Sequence, residues 1–452
     1  MLKKYSIMLL SVLLLVSMFL AACGNSKNGS GSNTSADGNT SKNNTPSTQQ
    51  EDTKKNADPV KLRVFSTFGG TDAAREAFQK AIDDFTAANP NVTVENDTMS
   101  ANDDGFRTKV NTDMTSGNEP DLLFYFIGAD AEGFVDAGKV VPLNEILDAD
   151  AEWKNGFAPS ALGFAKQADG NIYAAPLTGF YEGLFVNKKI FADNGLELPT
   201  DWDKMTTAVK TLSAKGIIPL SVPFDQSHYL IEYSVLSAAG PESQNKGLKD
   251  GVDPNWEKAY AAMKELYDLG AFPKDAATID LSMSGNYFSE GLAAMTIEGS
   301  WAIGGWSDDT KNNATVIPFP QVPGGAGSGN NVVGGFGSGF YISKAAYDNA
   351  AKKDTVVALM KHLTSPASIQ KIASANGGTP AAEVELTGLP QVALDGFAMA
   401  AKADSINSPV DSKVAPETFS ELRRNVQQVV TGKITPAQAI ESAKKVEDAN
   451  KK

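Results

Sequence analysis

Residues 60–94 read VKLRVFSTFGGTDAAREAFQKAIDDFTAANPNVTV. From Val60 to Val64 the apolar residues alternate with Lys61 and Arg63, the period of a strand with one face in a core. Thr71 or Asp72 is placed to cap the helix that follows, whose apolar face is Ala74, Ala77, Phe78, Ala81, Ile82 and Phe85. Asn89-Pro90 ends that helix, because a residue before proline is pushed out of the helical region. Val92 and Val94 begin a second strand. Phe106, Val110 and Met114 then fall four apart, as on one helix face, and Gly117 closes the segment. Leu122–Ile127 is an unbroken apolar run, as in a strand buried on both faces. Strand, helix, strand, helix, strand predicts an α/β fold with an open, mostly parallel sheet between layers of helices. Ligands of such sheets bind beyond the carboxyl ends of the strands. The loops Ser66–Gly70 and Ile127–Asp130 are therefore expected to wall a site. No internal repeat is visible.

The N-terminal end bears on the compartment. Lys3 and Lys4 precede an apolar run from Tyr5 to Ala22, and Leu20-Ala21-Ala22-Cys23-Gly24 follows. A basic start, an apolar stretch and small residues at a cut site are the marks of a secretory signal, read here as residues 1–22. Leu-Ala-Ala-Cys resembles the bacterial lipoprotein box, in which the cysteine thiol takes a diacylglycerol. The resemblance implies lipidation of Cys23 and attachment to the outer face of a cell membrane, in a Gram-positive type of surface. Cys23 is the only cysteine of the 452 residues, so the mature chain is expected to hold no internal disulfide. Between Gly24 and Gln50, 20 of 27 residues are Gly, Ser, Thr or Asn, which predicts a flexible tether over residues 23–58. The formal charge of −14 becomes −16 without Lys3 and Lys4, which argues against nucleic acid as a partner.

The remaining 394 residues, 59–452, exceed what one core usually serves, so two lobes are expected. Several stretches resemble the family 1 extracellular solute-binding proteins, the sugar-binding lipoproteins of ABC importers. They include Pro120-Asp121-Leu122-Leu123, Gly138-Lys139-Val140-Val141-Pro142-Leu143, and Tyr173-Ala174-Ala175-Pro176 leading to Leu184-Phe185-Val186-Asn187-Lys188. Pro199-Thr200-Asp201-Trp202 resembles the family's Pro-x-Thr-Trp helix start, with one extra residue before the tryptophan. The most specific block is Phe288-Ser289-Glu290-Gly291-Leu292-Ala293-Ala294-Met295 running into Ile297-Glu298-Gly299-Ser300-Trp301. Gly334-Gly335-Phe336, Tyr341-Ile342-Ser343-Lys344 and Gly432-Lys433-Ile434-Thr435-Pro436-Ala437 follow in family order. The resemblance implies a two-lobed periplasmic-binding-protein-like fold, with a hinge between the lobes and a ligand cleft at their interface. Lobe one is expected over 59–179 and 334–386, and lobe two over 180–333 and 387–452. It further implies a monomer that captures a sugar or oligosaccharide and hands it to ABC permease subunits.

A sugar ring has apolar C–H faces and a rim of hydroxyls, so its site needs aromatic side chains beside Asp, Glu, Asn, His or Arg. Trp301 is the leading candidate, since the family's matching tryptophan commonly stacks on the ligand; otherwise it is a core residue. Glu298 is close to it in sequence. Phe180, Tyr181 and Glu182 stand at the expected first crossover. Asp225, His228 and Tyr229 are read as a polar, aromatic loop after Pro223. Phe68, Gly69 and Asp72 follow the first strand, Asp72 being either a helix cap or a hydroxyl partner. Tyr125 and Asp130 end the buried strand, although Tyr125 could instead face a helix. Phe336 lies in the return to lobe one, and Phe419 stands thirteen residues before Gly432, where some family members place a stacking aromatic.

Other chemistry finds little support. Gly335, Gly337 and Gly339 alternate without the spacing of a dinucleotide fingerprint, and no Gly-x-Ser-x-Gly elbow occurs. The two histidines, His228 and His362, are far apart in sequence, so no metal site and no cofactor are expected. The rival readings are a surface glycoside hydrolase working through two carboxylates, an adhesin, and a binding protein for a non-sugar solute.

Overall fold

The computed structural model describes residues 58–70, 72–101, 105–167 and 169–450. The expectations placed on the N-terminal apolar run, on Cys23, on the tether through residue 57 and on Thr71 lie outside these residues. Among the described residues no helix is long and apolar enough to cross a membrane.

The opening pattern folds as its periodicity requires. β1 (Val60–Ser66), α1 (Arg75–Ala88), β2 (Val92–Thr98), α2 (Gly105–Ser116), β3 (Leu122–Phe126) and α3 (Ala129–Asp136) follow one another. β1 runs parallel to β2, with Val60 opposite Val92, and parallel to β3, with Val64 opposite Leu122. α1 buries Phe78, Ala81, Ile82 and Phe85, four positions of one face. Alternation sorts the strand residues onto two cores. Leu62, Val64, Leu122 and Phe124 pack with α1, whereas Phe65, Leu123 and Tyr125 pack with Phe106 of α2 and Phe134 of α3. The same alternation turns Arg63 away from α1, where its guanidinium is held by Asp97 at 3.0 Å and Asp113 at 2.5 Å.

The remaining strands are β4 (Ala175–Pro176), β5 (Thr178–Asn187), β6 (Ile218–Ser221), β7 (Ala293–Gly299), β8 (Ala314–Ile317), β9 (Asn331–Gly335), β10 (Ser338–Ile342), β11 (Thr379–Pro380) and β12 (Ser405–Asn407). The first sheet has the order β2-β1-β3-β10-β4, and β10 is antiparallel to both of its neighbours. The second sheet runs β12-β9-β5-β7-β6, with β8 and β11 also paired to β5. Its ten-residue central strand pairs β9 and β11 through its first half and β7 and β8 through its second. The architecture is a two-lobed α/β fold with one sheet in each lobe. The chain passes between the sheets at Leu177 and again at Phe336-Gly337. It leaves the first core after Ala382 and joins a core of the second sheet at Val392.

Local chemistry sets several helix starts. Asp201 caps the helix Trp202–Ala214 by accepting from the Lys204 amide at 2.9 Å, at the Pro-Thr-Asp-Trp segment. The helix His228–Lys246 is kinked where Gly240, with φ of 82°, precedes Pro241, which has no amide hydrogen to give. From Leu230 to Gly240 every residue of that helix is buried, and the second sheet's main core gathers around it with Trp202, Trp256, Tyr260 and Leu422.

Candidate ligand-binding cleft

Residues of both lobes line one cavity of about 1050 Å³. From the first lobe come Thr67 and Phe68 beyond β1 and Ile127, Gly128 and Asp130 beyond β3, the carboxyl ends of two parallel strands. From the second come Phe180 and Glu182 of β5, His228, Tyr229 and Glu232 of the buried helix, Glu298 of β7, and Trp301.

Three rings form a connected aromatic wall. Trp301 lies 5.3 Å from Phe180 and 5.7 Å from Tyr229, centroid to centroid. Glu298 holds two of them: its carboxylate accepts the Trp301 indole N–H and the Tyr229 hydroxyl, besides the Gly299 amide at 3.0 Å. Burial outweighs those three donors and pushes Glu298 up to about 7. A wall whose rings are tied at their polar edges presents its apolar faces without needing to be ordered on binding.

Beside this wall lie Glu182 and Glu232, each 2% exposed, with their carboxyls close enough to interact. Two carboxylates only accept, so side chains this close are held with at least one of them protonated. No N–H or O–H of the described residues donates to Oε2 of either one. Burial is the main cause raising both, Glu182 to about 8 and Glu232 well above the ordinary glutamate range.

Cationic charge enters from α2. Arg107 Nε contacts both oxygens of Asp130 at 3.1 Å, and its Nη2 reaches Asp411 at 3.2 Å. The guanidinium also sits over the Phe126 ring at 4.6 Å. Asp411 belongs to the turn Val410–Ser412 after β12, so this arginine ties the two lobes together across the cavity. Burial raises Asp411 to about 6 although Arg107 opposes it. Next to the lining residue Gly305, Gly304 packs so tightly on the first lobe that a Cβ there would lie 2.3 Å from Ala73 Cβ and 2.8 Å from the Ala375 carbonyl. The lobes thus touch at two separate places.

The sequence profile of the bacterial extracellular solute-binding proteins matches residues 70–370. This chain is a member of that family. The multiple sugar-binding protein of Streptococcus mutans is 25% identical over 382 residues, 82% of this chain and 80% of that protein. The diacetylchitobiose binding protein DasA of Streptomyces coelicolor is 26% identical over 203 residues, 44% of this chain and 46% of that one. Among solved structures, a chitin oligosaccharide binding protein superposes with a TM-score of 0.78 at 27% identity, covering 87% of this chain and 99% of that chain.

In this solute-binding protein the expected site residues divide. Trp301, Phe180, Glu182, Glu298, Tyr229, His228, Asp130, Asp72, Phe68 and Phe336 all line the cavity. Asp72 does so while accepting from the Ala74 amide at 2.7 Å, and burial raises it to about 6. Tyr181 does not line it. On an extended strand it points opposite to Phe180 and Glu182, and its hydroxyl donates to the Ala393 carbonyl at 3.2 Å. Tyr125 faces the helices, 5.6 Å from Phe106 and 5.8 Å from Phe134, rather than the cavity. Gly69 is pressed against the backbone of Thr98 and Met99. Asp225 is exposed and away from the cavity. The expected loop at Asp225–Tyr229 is only partly a loop, since His228 and Tyr229 form the first turn of a helix. Phe419 is 5% exposed and packs behind His228 at 5.3 Å. Burial, then Arg423 and Arg107, hold His228 well below the usual histidine range.

Sequence reasoning missed Arg107, Glu232 and Asp411. Glu232 lies inside the buried run Leu230–Gly240, and a carboxylate in such an apolar run was the available signal.

Proposed function

We propose that this protein captures a carbohydrate, with an oligosaccharide as the best fit, and passes it to an ABC permease. One observation carries the reading: a half-buried aromatic wall of Phe180, Trp301 and Tyr229 stands beside three buried glutamates in one cleft between two lobes. That combination matches the two faces of a pyranose, C–H surface and hydroxyl rim. A volume of about 1050 Å³ is at the upper end for small-molecule sites and leaves room for more than one ring. Relatives named for multiple sugars and for diacetylchitobiose support the same class.

The finer parts of the reading belong with it. Ligand binds between lobe one, residues 59–179 and 334–386, and lobe two, residues 180–333 and 387–452, by hinge closure. Trp301, Phe180, Tyr229, Glu182, Glu298, His228, Asp130 and Asp72 make the contacts. The protein acts as a monomer at the outer face of a membrane, attached through lipid on Cys23.

Thermal unfolding of the purified protein against xylo-, chito- and malto-oligosaccharides, raffinose and simple hexoses tests the core of it. A sugar at a hundred times its Kd adds about 2.7 kcal/mol to the folded state and raises Tm measurably. A shift with one sugar class supports the reading and names the substrate. Shifts only with amino acids, peptides or polyols overturn the carbohydrate assignment.

A further inference from the structure

Phe164, near the end of the helix Pro159–Ala165, lines the cavity from the first lobe and is 40% exposed. Its ring lies against the bare backbone of Gly335, where φ is 116° and a Cβ would stand 2.5 Å from the ring's Cε1. Trp301 is seated on Gly299 in the same way. Two further lining rings share this construction at the passages of chain between the sheets. Phe336 lies against Gly179, the residue before Phe180, and Phe180 lies against Gly337, the residue after Phe336; a Cβ on either glycine would meet the ring's Cε1 at 3.0 Å. Phe164 and Phe336 are 6.1 Å apart, centroid to centroid. The aromatic wall of the second lobe is therefore continued, through Phe180 and Phe336, to Phe164 of the first lobe. A phenylalanine that belongs to a core is closed in on all sides, as Phe336 nearly is at 6% exposed. Phe164 is instead fixed on one side and open on the other, so an apolar ligand face can cover it without first ordering it. The hairpin that follows, closed by a bridge between Lys166 and Ile172, brings the amide of Gln167 and the hydroxyl of Tyr173 to the same cavity.

We propose that Phe164 is an outer stacking subsite, which takes a further ring of an oligosaccharide whose first rings lie on Phe180, Trp301 and Tyr229, and that it sets the chain length the cleft prefers. This rests on the carbohydrate reading above and adds ligand length to it. Phe336 separates Phe164 from Phe180, so a short sugar seated on the wall of the second lobe leaves Phe164 uncovered. A trisaccharide or longer chain covers it, and so touches both lobes along one run of rings. The gain from Phe164 is then the burial of one exposed phenyl face, and only a ligand long enough to reach it collects that gain.

Isothermal calorimetry of the whole protein with the di-, tri- and tetrasaccharides of the chito-, malto- and xylo-series, and with melibiose, raffinose and stachyose, tests the proposal. In the series that binds, affinity should rise beyond the disaccharide. Phe164→Ala should cancel that rise, weakening the longer ligands about tenfold and leaving the disaccharide as it was. Phe164→Leu keeps an apolar side chain against Gly335 but removes the flat ring, so it should lose the longer ligands as the alanine variant does. Equal losses for short and long ligands, or parental affinity in Phe164→Leu, would make Phe164 a packing residue of the crossover and overturn the subsite. Wild-type affinity that is level from disaccharide to tetrasaccharide overturns it even if neither variant folds. Binding of simple hexoses alone also overturns it and leaves the carbohydrate reading standing, whereas failure of every sugar to bind overturns that reading and this inference with it.

Discussion

The indole of Trp301 lies back over Gly299, so close that a Cβ on the glycine would stand 2.2 Å from Cη2 of the ring. The glycine is therefore part of the aromatic wall: its bare backbone is the surface on which the ring rests. Gly299→Ala should displace the indole and leave β7 paired, because the substitution adds one methyl group without removing a backbone donor. The expected outcome is loss of sugar affinity comparable to Trp301→Ala, about 2 kcal/mol or more, with little change in Tm. Titration calorimetry with tryptophan fluorescence checks it, and full affinity in both variants would remove Trp301 from the site.

Gly304 makes a second prediction, about closure rather than contact. Ala73 Cβ and the Ala375 carbonyl stand where its side chain would be, and both are parts of the first lobe that cannot swing aside as a long side chain could. Gly304→Ala should leave each lobe folded and hold them apart on that side. Affinity should fall at least tenfold, and the ligand-induced decrease in radius of gyration seen by small-angle X-ray scattering should shrink. A variant that closes and binds like the parent would show that the rim yields at this point.

Acid–base linkage gives a third. Glu182, Glu298 and Glu232 are raised in the folded protein, so between the ordinary glutamate range and about pH 8 the folded chain binds protons that the unfolded chain has released. Stability from these groups is complete at low pH and is lost as pH rises through their folded values. His228 acts in the opposite sense. Its folded value is depressed, so stability is lost as pH falls below about 6.5. Tm measured without ligand should fall from pH 6.5 to pH 9, and Glu232→Gln should flatten that fall. A Tm rising over that range would contradict the buried, protonated state of the pair.

The first lobe's start was legible because its signals are local. Period two in Val60–Val64, one apolar face in Ala74–Phe85 and the double-sided run Leu122–Ile127 each report their surroundings directly. The insertion of β10 between β3 and β4 was not legible, since nothing in Ser338–Ile342 names its partners. At the site, the types of residue were readable and their directions were not. Phe180, Tyr181 and Glu182 are neighbours in a motif, yet alternation on β5 sends the middle one into the core. Arg107 escaped because a charge on a half-exposed helix gives no sign of whether it faces solvent, a partner or a cleft, and Glu232, whose apolar flanks did mark it as buried, gave no sign of what it faces until a second element is packed on it.

The position of β10 also sets an order of events during synthesis. The first sheet needs residues 338–342 to join β3 to β4, so it cannot be completed until three quarters of the polypeptide has left the ribosome. Until then β3, an apolar strand, has an open edge of unpaired amides and carbonyls, the kind of surface that other chains pair with. The pairing of distant segments makes folding slow as well as late. A chain halted after β3 but before residue 338 would thus be a species for holdase chaperones.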